Sequence, residues 1–113
     1  MHELGIMYHI VERVLAVVNE NGFTEVETIV LNVGERTEVV PQYLHACYPA
    51  AVNGTMLENT ALKVEIISAN AVCGCCGKVF AFTPCNGLCP QCESADCEVI
   101  SGKEFMIREI HAR

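Results

Sequence analysis

Two cysteine pairs carry the clearest chemistry in this chain. Cys73-Gly-Cys-Cys76 is followed, after a gap of twelve residues, by Cys89-Pro-Gln-Cys92. A CxxC pair bends the backbone so that two sulfurs face one point, and two such knuckles complete a tetrahedron. Four thiolates suit Zn²⁺ and leave it no open coordination position, so the expected role is structural. Iron–sulfur ligation satisfies the same spacing, whereas a thioredoxin-like redox site would use one pair beside a βαβ unit. Gly77 after the first pair and Pro90 inside the second fit tight turns around a metal. Cys75, Cys85 and Cys97 lie in the same segment and read as bystander or small packing thiols. Cys75 competes most directly, but the two-residue gap of Cys73 and Cys76 lets both sulfurs converge without strain. Cys47 stands apart, on an apolar helical face, and reads as core.

The amino terminus offers a second, different chemistry. Met1-His2-Glu3 stands directly before the first helical residue. The α-amine, the backbone nitrogens that follow and the His2 imidazole can form adjoining chelate rings around a square-planar ion. That geometry suits Ni(II) or Cu(II) and not Zn(II). Binding requires that Met1 be retained and that protons leave nitrogen, so affinity should rise with pH. A cation at a helix N-terminus faces an unfavourable dipole, which Glu3 partly offsets. His9 falls on the polar side of the helix and reads as solvated, and His111 as a residue of the last strand.

Composition bounds the remaining readings. The chain has 113 residues, 51% of them hydrophobic and 19% charged, enough for one domain with a real core. A net charge of −7 with no basic run argues against a nucleic-acid partner. No apolar run reaches the roughly 18 residues of a membrane span, and MHELGIMYHI does not resemble a signal peptide. Seven of the eight cysteines crowd into 73–97, and none lies before Cys47. A disulfide scaffold would spread them along the chain; clustering points to a metal and a reducing, cytoplasmic setting.

The elements that must hold these groups follow from periodicity. Residues 4–20 predict an amphipathic helix with Leu4, Met7, Tyr8, Val11, Val14, Leu15 and Val18 on one face, stopped at Asn21-Gly22. Val26–Val33 predicts a strand, with Gly34-Glu35-Arg36 ending it in a charged loop that includes Glu38. Pro41 opens a second helix through Leu44, Cys47 and Ala51, kinked or shortened by Pro49 and closed by Asn53-Gly54. A strand over 61–68 precedes the cysteine segment, whose KVFAFTPCNGL stretch is long enough for a short hairpin. A last strand covers Lys103–His111 after the Ser101-Gly102 turn. The pattern predicts an α+β fold: two helices packed on a small three-stranded sheet, with a zinc-ribbon-like module inserted before the last strand. The expected division is 1–69 plus 99–113 as one domain and 70–98 as the zinc module. Neither a nucleophile elbow nor a phosphate loop is present, and His45 and Cys47, two apart on a helix, face different ways, so no enzyme is expected.

The combination of an initial Met-His-Glu with CxxC and CPxC in a late insert resembles the HypA/HybF family of hydrogenase nickel-incorporation proteins. Further points of likeness are Val33-Gly-Glu35, Pro41 with Leu44, Gly54-Thr55 and the closing GKEFMIREIHA. The resemblance spans essentially the whole chain. It implies a nickel metallochaperone that delivers Ni(II) to [NiFe]-hydrogenase precursors, and in some members to urease, by ligand exchange. It implies nickel at Met1 and His2 with Glu3 adjacent, and structural zinc at Cys73, Cys76, Cys89 and Cys92. As partners it implies a nickel-handling maturation GTPase and the hydrogenase large-subunit precursor, with the chain a monomer or weak homodimer. The competing reading is a zinc-ribbon protein-interaction module that transfers no nickel.

Overall fold

The computed structural model describes residues 3–113. Eight elements follow one another: α1 (Glu3–Asn21), β1 (Val26–Gly34), α2 (Pro41–Val52), β2 (Ala61–Ile67), β3 (Asn70–Cys73), β4 (Val79–Ala81), β5 (Cys97–Ser101) and β6 (Phe105–Ala112). The strands make two three-stranded sheets, ordered β2-β1-β6 and β4-β3-β5. Among the described residues no helix is long and apolar enough to cross a membrane. The architecture is α+β, as the periodicity predicts. Two compact units divide the chain: residues up to Asn32 with Glu38–Glu65 and Met106–Arg113, and Val33–Thr37 with Ile66–Phe105.

In the first unit α1 buries Met7, Ile10, Val11, Val14 and Val18, a stripe at helical spacing. The stripe is narrower than the sequence pattern suggests. Leu4 and Tyr8 fall on its border and stay 41% and 47% exposed, while Glu3 heads it and is buried. The helix stops where the left-handed Gly22 (φ +67°) lets Phe23 N–H reach back to Val18 O at 3.1 Å. β1 is the central strand of its sheet, and in this unit it buries Ile29, Val30 and Leu31, residues that alternate between its two faces.

Pro49 does not shorten α2, which runs on to Val52. Proline leaves the carbonyl of residue i−4 without its donor. That residue is His45, and both His45 and Pro49 are exposed, so the helix loses this bond on its solvent side and not in the core. The buried stripe is Leu44, Tyr48, Ala51 and Val52, with Cys47 only partly buried beside it. Tyr48 enters the core because its hydroxyl donates to Thr60 O at 3.0 Å, while Thr60 Oγ1 donates to Val26 O at 2.7 Å.

Burial pushes the Tyr48 phenol from 10.0 up to about 12. A raised folded-state value favours the neutral phenol. Its stabilisation is therefore complete below pH 10.0 and is lost as pH rises through about 12. Denaturant unfolding under reducing conditions should show stability falling above pH 10, and Tyr48→Phe should flatten that fall while costing about 1 kcal/mol at neutral pH from the lost hydrogen bond. An identical alkaline slope in both proteins would refute the assignment.

The second unit is threaded by the strap 33–37. Gly34 N–H donates to Glu104 O and Arg36 N–H to Gly102 O, both at 2.7 Å. The approach is so close that a Cβ on Gly34 would sit 2.3 Å from Gly102 O, and one on Gly102 (φ +87°) 2.6 Å from Ala69 Cα. Only glycine fits at either place. Ser101-Gly102 is thus a packing point as well as a turn, and β6 starts at Phe105, two residues later than the expected Lys103.

Candidate metal centre

Each cysteine pair closes the same small turn. In the first, Gly77 N–H donates to Cys73 O at 2.9 Å and Cys73 N–H to Lys78 O at 2.8 Å. In the second, Glu93 N–H donates to Cys89 O at 2.8 Å and Cys89 N–H to Ser94 O at 3.0 Å. The residue after each pair is left-handed: Gly77 at φ +77° and Glu93 at φ +61°. A side chain in that region costs about 1–2 kcal/mol, which Glu93 bears and Gly77 avoids. The knuckles are therefore repeats of one backbone structure, built by spacing more than by the intervening residue types.

β3 delivers Cys73, and the segment between the pairs uses its one strand to pair with β3. β4 pairs back with β3 in antiparallel register, Val72 opposite Val79 and Ala71 opposite Phe80. Residues 82–88 are then turns, and they carry the chain to Cys89. The first knuckle thus sits at the tip of the β3–β4 hairpin. Behind the sulfurs lies a very small core of Ala71, Cys73, Phe80 and Cys89, with Phe82, Cys85 and Cys97 packed against it.

The sulfurs of Cys73, Cys76, Cys89 and Cys92 all lie within 4.8 Å of one another. Cys73 meets Cys92 and Cys76 meets Cys89, each pair at 3.5 Å between sulfurs. A tetrahedral ion with metal–sulfur bonds of about 2.3 Å has sulfur–sulfur edges of about 3.8 Å, so the four donors need move little to hold one. Cys73 and Cys89 are buried, while Cys76 and Cys92 face solvent. The N–H groups of Cys76 and Cys75 point at Cys73 Sγ and pull its thiol from 9.0 down to about 6. Cys89 is also lowered, first by the Cys92 N–H. Cys92, although the Ser94 backbone favours its thiolate, is pushed up to about 12 chiefly by its hydrogen bond to Cys73.

The surrounding residues hold this arrangement in ways the spacing does not reveal. Gly74 N–H donates to Asp96 O at 2.7 Å, and a Cβ on Gly74 would lie 2.7 Å from the Asp96 carboxylate. Ser94 Oγ accepts from Asp96 N–H at 3.0 Å and meets Cys75 Sγ at 3.3 Å. The segment 94–96 therefore straps the second knuckle to the first, and Cys75 turns toward Ser94. The Ser-Ala-Asp run was a readable sign of a local turn; its partner was not.

Glu35 and Arg36 are not a free charged loop. Glu35 Oε1 accepts from Ala69 N–H at 3.1 Å and from Thr83 Oγ1 at 2.9 Å, and the Arg36 guanidinium stacks over Phe82, 4.7 Å from the ring centroid. These contacts pin the strap to the module, and Glu35 lies 34 and 48 residues from its two partners.

Met1 and His2 lie outside the described residues. Glu3 is the first residue of α1, and its Oε2 accepts from the N–H of Val40, the residue that caps α2, at 3.3 Å. Val40 has no side-chain cap of its own to offer. The Glu3 carboxylate thus joins the starts of the two helices. His9 and His45 are exposed, and His111 Nε2 lies 3.3 Å from the Glu109 carboxylate.

Comparison with known proteins covers the whole of this arrangement. A family described as "Hydrogenase/urease nickel incorporation, metallochaperone, hypA" matches residues 1–112. A hydrogenase maturation factor HypA of Chlorobium limicola is 40% identical over 110 residues, 97% of this chain and 95% of that protein. One from Rhizobium leguminosarum bv. viciae is 33% identical over 97% of each chain. The fold resembles the solution structure of the Ni metallochaperone HypA from Helicobacter pylori, with a TM-score of 0.68 at 18% identity over 99% of this chain and 97% of that one. A second HypA solution structure gives a TM-score of 0.75 at 17% identity over 100% and 97%. Match length, sequence identity and fold agree, and the chain belongs to the HypA family of hydrogenase and urease nickel-incorporation metallochaperones.

Proposed function

We propose that this protein is a nickel metallochaperone of [NiFe]-hydrogenase maturation, carrying Ni(II) at its amino terminus and holding a structural zinc in the cysteine cage. Family membership over residues 1–112 is the observation that carries the reading. The two sites divide the labour on chemical grounds. Four converging sulfurs make a closed cage, which suits a resident ion and not one that must be handed on. A terminal chelate on Met1 and His2 is small and can release its ion by ligand exchange, with no bond of a substrate made or broken. Glu3 contributes through its backbone nitrogen, because its carboxylate is engaged by Val40 and the first N–H groups of a helix have no partner within it. The acceptor is the hydrogenase large-subunit precursor, served together with a nickel-handling GTPase in a reducing cytoplasm that keeps the cage sulfurs from forming disulfides.

Metal content of untagged protein tests this. One tightly held zinc per chain should persist through dialysis, and one weaker nickel should bind in addition. Nickel affinity should rise with pH, since the α-amine, the imidazole and a backbone N–H must all be free of the protons that compete with the ion. Nickel that binds only by displacing zinc would move the cargo to the cage. No nickel binding at any pH would leave the zinc-ribbon interaction module as the better reading.

A further inference from the structure

The cysteine cage has a fifth thiol built beside it. In the antiparallel pairing of β3 with β5, Cys97 stands directly opposite Cys73. Gly74 N–H donates to Asp96 O across these strands, while Cys73 turns its own N–H and C=O to the other side, toward Lys78 and Gly77. Cys73 and Cys97 therefore occupy a non-hydrogen-bonded position, where facing residues come closest, with Cα atoms about 4.5 Å apart. Disulfides span Cα separations of about 4.4–6.8 Å. The two side chains also share a face, since Cys97 packs against the same small cluster that includes Cys73. Cys97 is partly buried, and its Sγ donates to Gly87 O at 3.5 Å, a weak contact easily given up.

We propose that Cys73 and Cys97 form a reversible cross-strand disulfide that competes with the metal for the Cys73 sulfur. The inference rests on the reading of Cys73 as a cage ligand. The oxidant class is a small-molecule disulfide such as oxidised glutathione. The Cys97 thiolate attacks one of its sulfurs, forming a mixed disulfide and releasing one glutathione thiolate. When Cys73 leaves the metal, its thiolate attacks Cys97 Sγ, closing the bond and releasing the second glutathione. The two protein sulfurs together lose two electrons, Cys97 gives up its proton and Cys73 its bond to the metal, and the oxidant, taking up protons from solvent, becomes two thiols. With Cys73 taken into the disulfide, three cage sulfurs would remain, so the site would hold a metal more weakly and a chelator would remove it. Reduction restores the pair and the site.

Peptide mapping of the full chain decides the matter. Protein as isolated is treated under native conditions with oxidised glutathione and a zinc chelator, then digested at acid pH after its free thiols are blocked. A Cys73–Cys97 link is the expected product, with zinc binding absent until reductant is added. In Cys97→Ser the loss of zinc-binding capacity should be at least about tenfold slower, its metal content before treatment being unchanged. A link within or between the CxxC pairs, or none, overturns the proposal in the wild-type protein alone, whatever the variant does. Zinc content before oxidation reports the cage separately: a chain that never held zinc would fail there, before the disulfide is asked about.

Discussion

A chain with Cys89 replaced by alanine should hold no zinc and lose the fold of its second unit, while α1 and α2 keep theirs. The reason is how little else the second unit buries. Its compact cluster is Ala71, Cys73, Phe80 and Cys89, so half of those side chains are cage sulfurs. Burial of Phe80 contributes about 1.5–3 kcal/mol. Structural zinc on thiolates contributes on the order of 10–16 kcal/mol, and because the site does not exist in the unfolded chain this is folding free energy. Cys89 is fully buried, at 0% exposure, so its replacement removes a sulfur and packing from the same small cluster. Hydrogen exchange should show protection lost across residues 66–105 and kept across 7–18, with atomic emission giving zinc near zero per chain. Full zinc content together with unchanged protection at β3 and β5 would sink the cage as the organiser of this unit. Chelator treatment of the unmutated protein should reproduce the same regional loss.

His2→Ala should abolish specific nickel binding while zinc content and helix content stay as they were. Loss of outer-sphere partners typically costs tenfold to a hundredfold in metal affinity, and loss of a direct ligand should exceed this, so a fall greater than about 100-fold is expected. Acetylation of the Met1 α-amine should do nearly as much. It converts the terminal amine to an amide and so removes the donor that closes the first chelate ring around a square-planar ion. Neither change reaches the Glu3 carboxylate, whose bond to Val40 N–H ties the starts of α1 and α2. Calorimetry on the three proteins, with circular dichroism alongside, separates the effects. Nickel affinity within a few-fold of wild type in His2→Ala would remove the amino terminus as the cargo site.

The cage donors were legible because ligand spacing is a local property. Two residues between cysteines close a turn whatever lies around it, and both knuckles have the same hydrogen bonds. The left-handed residues after them show how strong that constraint is, since Glu93 accepts a conformation that Gly77 adopts freely. The first helix was legible for a similar reason, a periodic stripe that needs only its own residues to be read. Its edges were not: Leu4 and Tyr8 fit the pattern and stay half exposed, whereas the charged Glu3 is buried. Periodicity counts apolar residues, and what decided Glu3 was a donor on Val40, thirty-seven positions away. The β4 pairing was not legible for the same cause. A short apolar run can pair with either neighbour, and the register to β3 is settled by burying Phe80 against Ala71 and the sulfurs.

By itself, then, the order of residues determined which thiols converge and in what grouping: two pairs late in the chain. Those depend on separations of two or three residues, over which the chain has little freedom. Only the tertiary structure decided which thiol stands across from Cys73, where the Glu3 and Glu35 carboxylates spend their hydrogen bonds, and that Gly34 and Gly102 lie too close for any side chain. These depend on strand register and on contacts between segments tens of residues apart, which the fold selects by burial and which no local spacing encodes.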